Sequence, residues 1–254
     1  MLGVSLTTLV LLGLLGLAGG IGITAVGPGG VLPTIGLFTL TTLSPAEVAG
    51  TAIVTHIATG ALATIAYTRS GQLRDPETRR TALLLAGTAA LGTPVGVLLN
   101  TFVSQRAFGI ALGALLAVVA ALVWYRERRP SRTTLAHPPT WSVAGLGVAV
   151  AVASGIVGIG GPMLTVPLLV ALGVPVLESL ASAQAQSVII ATVGTLGYVA
   201  HGAIDWPLAA LVGIPELAGV LLGWKIAHAL PTRSLKYALI ATLFALAPYL
   251  ALHN

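Results

Sequence analysis

What most constrains this chain is where its charges are missing. Residues 1–46, 48–68, 81–105, 107–125, 133–177 and 179–204 contain no Asp, Glu, Lys or Arg. About 20 apolar residues in a helix cover the hydrocarbon of a bilayer, so each run holds at least one membrane span. Eight of the twelve basic residues crowd into two stretches, Arg69, Arg74, Arg79, Arg80 and Arg126, Arg128, Arg129, Arg132. These read as loops. Only 7% of residues are charged, against about 25% in soluble proteins. The chain therefore lacks the polar coat of a water-soluble globule, and soluble-enzyme functions are excluded.

Cysteine is absent, which removes disulfide scaffolds, thiolate nucleophiles, Fe–S clusters and Cys-ligated zinc from consideration. The formal charge is +5, but the basic residues are too few and too localised to form a nucleic-acid stripe. Membrane orientation explains them better. Small residues are abundant and let helices approach closely without a hydrophobic force between them. The expected fold is an all-α polytopic membrane bundle with spans at 2–25, a short 30–43, 46–68, 81–99, 105–125, 143–160, a short 162–174, 178–200, 207–230 and 234–252. Segment 2–25 lacks the positive n-region and cleavage context of a secretory signal, so it reads as a retained helix. A first membrane repeat would cover 1–125, a basic cytoplasmic linker 126–142 and a second membrane repeat 143–254.

The repeat comes from sliding the chain along itself. At an offset of 134, Gly27-Pro28 falls on Gly161-Pro162 and Pro33 on Pro167; at 127, Gly92, Gly96 and Arg106 fall on Gly219, Gly223 and Arg233. The middle helices align at 131, pairing Glu47 with Glu178 and Tyr67 with Tyr198, or at 135. Positive charge near span ends marks the cytoplasmic side. Loops 69–80 and 126–142 are both basic, whereas loop 201–206 has no Lys or Arg and the region of Lys225, Arg233 and Lys236 is basic. That reversal implies inverted repeats in a cytoplasmic membrane, with both termini outside.

Each half opens with a Gly/Pro interruption: Gly27-Pro28-Gly29-Gly30 before Pro33, and Gly158-Ile159-Gly160-Gly161-Pro162 before Pro167. Unwound backbone at membrane depth persists only inside protein or against a watery cavity. Paired interruptions at matching places in two halves point to a transporter site. A half-helix that starts after such a break directs free N–H groups and its positive dipole end inward, so the natural ligand is an anion. The alternative is that these residues only kink helices or let them pack closely.

The run Gly158-Ile159-Gly160-Gly161-Pro162-Met163-Leu164-Thr165-Val166-Pro167 resembles the G-x-G-G-G-x-x-x-x-P signature of the TauE/SafE permeases, the sulfite exporter or toluene-sulfonate-uptake family. The first break, the duplicated layout and the length are similar over nearly the whole chain. The first break reads Val26-Gly27-Pro28-Gly29-Gly30 where the family usually has a cleaner Gly-rich run. The family's small-Gly-Thr-Ser stretch stands here as Ala49-Gly50-Thr51-Ala52 and Ala185-Gln186-Ser187. The resemblance implies ATP-independent movement of sulfite, organosulfonates or related small anions.

With no Arg or Lys in mid-membrane, neutral donors must hold the anion. The expected shell is Gly29, Gly30, Gly160 and Gly161, completed by Thr51, Gln186 and Ser187. Buried Thr and Ser also bond their own helix carbonyls, whereas Gln184 and Gln186 need outside partners. His56, a titratable group in mid-span, and Glu216, after Pro215, are the proton-coupling candidates. Their alternatives are a packed, satisfied histidine and a neutral acid bonded to a carbonyl freed by Pro215. Glu47 and Glu178 sit at span starts and read as helix caps, and Lys225 as a side chain reaching the surface.

No H-E-x-x-H, G-x-S-x-G or paired intramembrane aspartates support an intramembrane enzyme; Ser154-Gly155 is only a weak echo of a nucleophile turn. The two lysines cannot belong to a Walker A loop. A passive anion channel is the nearer rival. No cofactor or metal is expected. The expected partners are a small anion and the bilayer, with a homodimer left open.

Overall fold

The computed structural model describes residues 5–128, 138–231 and 234. The described residues form helices and turns and no strand. In chain order the helices are α1 (Leu6–Ala25), α2 (Val31–Leu40), α3 (Pro45–Arg69), α4 (Pro76–Asn100), α5 (Gln105–Arg128), α6 (Thr140–Val157), α7 (Pro162–Ala171), α8 (Val176–Ala200) and α9 (Trp206–Ala229). By length and composition, α1, α3, α4, α6, α8 and α9 can each cross a membrane, and α2 and α7 are the short pair. The expected span 234–252 and most of the 126–142 linker lie outside the described residues.

Local chemistry sets the boundaries. Ser44 and Glu47 form a reciprocal capping box at the start of α3, which satisfies two otherwise orphaned N–H groups, so Glu47 is the cap its position suggested. Glu178 lies in the first turn of α8. The expected loop 69–80 is mostly helix. Asp75 caps α4 by accepting from the Thr78 N–H at 2.8 Å, and Pro76 fills the first turn. Arg79 and Arg80 therefore ride on the opening turns of a helix that begins five residues before the expected boundary.

Two central helices organise the packing. The spans α3 and α8 are the most deeply buried and cross antiparallel, Gly60 meeting Val188 and Gly194 meeting Ile53. On one flank α1 and α9 run parallel, with Gly16 against the Val212 carbonyl and Gly223 against that of Ile21. On the other, α4 and α6 run parallel, with Gly92 against Val148 and Gly96 against Val152. Thr51 and Thr55 of α3 meet Asp205 and Gly213 in the same order. Thr78 and Thr93 of α4 likewise meet Ser182 and Gly194 of α8. One set of helices, α1, α3 and α9, therefore points one way, and α4, α6 and α8 point the other. Leu83, Leu91, Leu196 and Ile214 are exposed on the outside, the side that lipid must cover.

An interval of 131 residues recurs in the backbone. It separates the positive-φ glycines Gly27 and Gly158, and again Gly71 and Gly202. It also relates two tyrosines: Tyr67 donates to the Thr24 carbonyl and Tyr198 to that of Gly155, both at 2.6 Å. This interval pairs Gly27 with Gly158, where each long helix ends, whereas the offset of 134 pairs the Gly-Pro steps Gly27-Pro28 and Gly161-Pro162.

Candidate functional site

Both interruptions are real chain reversals. Helix α1 ends at Ala25, Gly27 takes φ 104°, and Pro28–Gly30 form one tight turn before α2. Helix α6 ends at Val157, Gly158 takes φ 69°, and α7 starts at Pro162. A positive φ is nearly free for glycine and strained for other residues. The two tips meet: a Cβ on Gly27 would stand 2.8 Å from the Val166 Cβ and 3.0 Å from the Pro162 carbonyl oxygen. The Thr34 hydroxyl also bonds the Gly158 carbonyl at 3.3 Å.

His56, mid-way along α3, lies where the two breaks converge. A Cβ on Gly30 would stand 3.5 Å from its Cε1, and one on Gly160 would stand 3.4 Å from its Cδ2 and 2.9 Å from the Ser187 Oγ. From α9, Glu216 brings Oε1 to 3.4 Å from His56 Nδ1. His56, Ser187 and Glu216 are fully buried. Neither ring nitrogen of His56, neither carboxylate oxygen of Glu216 nor the Ser187 hydroxyl has a hydrogen-bond partner.

That pattern differs from both structural alternatives in its hydrogen bonding. His56 is packed but unsatisfied, and Glu216 is not bonded to a carbonyl freed by Pro215. Unpaired polar groups in a dry interior cost about 1–3 kcal/mol each, and native proteins keep few of them. Five buried atoms without a hydrogen bond gather here beside two half-helix N-termini, two of them, His56 Nδ1 and Glu216 Oε1, 3.4 Å from each other. Among the described residues no group of three or more His, Cys, Asp or Glu could hold a metal ion.

The remaining expected residues divide. Gly29 packs against Gly22 inside the first hairpin, a close backbone approach rather than a wall of the cluster. Thr51 accepts from the Asp205 N–H at 2.9 Å and so anchors the turn before α9. Gly161 lies against Gln186, whose Oε1 accepts from the Thr165 hydroxyl and whose Nε2 reaches the Gly147 carbonyl at 3.4 Å. Gln186 thereby ties α8 to α6 and α7. Gln184, one turn before Ser187 on the same face, donates from Nε2 to the Ile23 carbonyl at 2.9 Å, near the end of α1, while its Oε1 is buried without a partner. Its unmet need for partners was the legible signal. The Ser154 hydroxyl is also buried and unpartnered, and Lys225 is exposed.

This paired-break arrangement can be set beside known proteins. The profile of the family described as "Sulfite exporter TauE/SafE" matches residues 12–250. The chain belongs to the TauE/SafE family. It is 26% identical over 225 residues to the "Probable membrane transporter protein YdhB" of Bacillus subtilis (strain 168), a match covering 85% of this chain and 89% of that one. No solved structure matches. As a TauE/SafE protein the chain is a membrane transporter and not an enzyme.

Proposed function

We propose that this TauE/SafE protein is a secondary transporter that moves small anions, such as sulfite or organosulfonates, across the cytoplasmic membrane with proton coupling. The observation that carries the reading is the convergence of two helix breaks on the buried, unpartnered His56, Glu216 and Ser187. The anion lies against the backbone of Gly30 and Gly160, where the positive ends of α2 and α7 face inward. The Ser187 hydroxyl and the His56 ring complete its shell, and Glu216 and His56 carry the proton. Gly29, Gly161, Thr51 and Gln186 hold the surrounding backbone in place.

The two halves are inverted repeats, a reading supported by the opposed directions of α1 with α3 and of α6 with α8, and by the 131-residue interval. Both termini lie outside. Alternating access then follows from rocking of one half against the other around a fixed midplane site.

Purified protein in proteoliposomes tests this. With sulfite, an organosulfonate, sulfate and lactate compared under imposed pH gradients, saturable, pH-driven uptake with counterflow is expected for at least one sulfur oxyanion. Linear, non-saturating flux without counterflow would make the protein a channel.

A further inference from the structure

We infer that the site binds a singly charged anion together with one proton, so that each transport step is electroneutral and doubly charged anions are rejected. This rests on the anion placement proposed above and adds the charge class and the stoichiometry.

The charge that this fully buried place can hold decides the stoichiometry. Among the described residues, His56 and Glu216 are the only buried side chains of the Asp, Glu, His, Lys and Arg types. Around His56, the first hairpin contributes Gly30 and Ile23, the second Gly160, helix α8 Ser187 and helix α9 Glu216. Only Glu216 among them has an ionisable side chain. The buried phenols of Tyr67 and Tyr198 are committed to backbone carbonyls. Lys225, the basic residue of α9, is exposed nine residues from Glu216, on the opposite side of the helix.

Two titrating groups have three charge states. With no proton the pair carries −1, with one proton it is neutral, and with two it carries +1. An uncompensated charge is expensive at membrane depth, so the empty site holds one proton, as an imidazolium beside a carboxylate or as two neutral groups. These share one macroscopic count because the proton belongs to the pair. Adding a monoanion to that state leaves −1 buried. Adding a monoanion and a second proton restores zero. The balanced step is therefore a neutral pair plus one anion plus one proton giving a neutral complex, with no bond broken. A dianion requires +2, which two groups that reach only +1 cannot supply. The half-helix termini attract any anion, but each helix is neutral overall and cannot replace the missing counter-charge.

The test measures protons and anions together on detergent-solubilised full-length protein in weakly buffered solution near pH 7. Methanesulfonate is the monoanion probe and sulfate the dianion probe; calorimetry reads binding and a pH indicator reads proton uptake. The expected result is about one proton taken up per methanesulfonate bound, with sulfate held at least tenfold more weakly. His56→Gln cannot reach a positive charge and is expected to lose methanesulfonate binding at least tenfold. Because the proton ratio and the discrimination against sulfate are read on the unmodified protein, a folding defect in this variant does not decide the matter. Methanesulfonate binding without proton uptake, or equal affinity for sulfate, would overturn this inference and leave the site where it is. Failure to bind either anion would overturn the placement and this inference with it.

Discussion

Single residues at this site separate stability from function. Ser187 presents a buried hydroxyl with no partner, so its removal relieves a desolvation penalty. Ser187→Ala is expected to melt no lower than the parent protein, yet to bind methanesulfonate about tenfold more weakly, the effect of one lost hydrogen bond to a charged ligand, about 1.5 kcal/mol. Gln186 makes the opposite case, since both ends of its amide already have protein partners. Gln186→Ala should cost about 1–3 kcal/mol of stability and leave anion affinity within about twofold. Thermal melting paired with calorimetry checks both variants. A lower melting point with unchanged affinity in Ser187→Ala would place the ligand elsewhere. The sequence showed that α8 carries polar groups in need of partners, but not which face turns inward. That helix is apolar nearly all round, and an all-round apolar pattern does not say where its neighbours lie. Gln186 was placed in the anion's shell and Gln184 was not, although both are fully buried, Gln186 against Gly161 of the second break and Gln184 against the Ile23 carbonyl.

At the level of elements, the seams between parallel helices are held by glycines, and they set the position of Glu216 relative to His56. Gly20 of α1 lies directly against the Glu216 carbonyl of α9, where a Cβ would overlap it. Gly20→Val is therefore expected to push α9 outward and draw Glu216 away from His56, reducing pH-driven uptake at least tenfold in proteoliposomes while the protein still purifies as a folded species. Unchanged uptake would show that the pair tolerates separation. The two tyrosine anchors predict a matched pair of effects. Tyr67→Phe and Tyr198→Phe each delete a bond to a carbonyl near the end of a broken helix, so each should cost about 0.5–1.5 kcal/mol, read as similar drops in melting temperature. The existence of these elements was legible because charge-free runs and Gly/Pro interruptions report directly on lipid and on backbone reversal. The start of α4 was not, because Arg79 and Arg80 suit a solvated loop and the first turns of a capped helix equally well.

For the molecule as a whole, orientation in the membrane has a direct readout. Reporters fused at residues 75 and 203 should face opposite sides of the membrane, with 75 cytoplasmic; both on one side would replace inverted repeats with parallel ones. The helix directions needed for this are visible only after packing, since the second-half charge signal in the sequence rested on three residues. The complete burial of His56, Glu216 and Ser187 also imposes a clock. An ion cannot reach those groups until a collective movement opens one side, and movements of that kind take microseconds to milliseconds. Each passage requires at least one, which limits the throughput of a single molecule to about 10³–10⁶ ions per second. A cell that needs a greater flux than that must make more copies of the protein, because no increase in the gradient will shorten the wait.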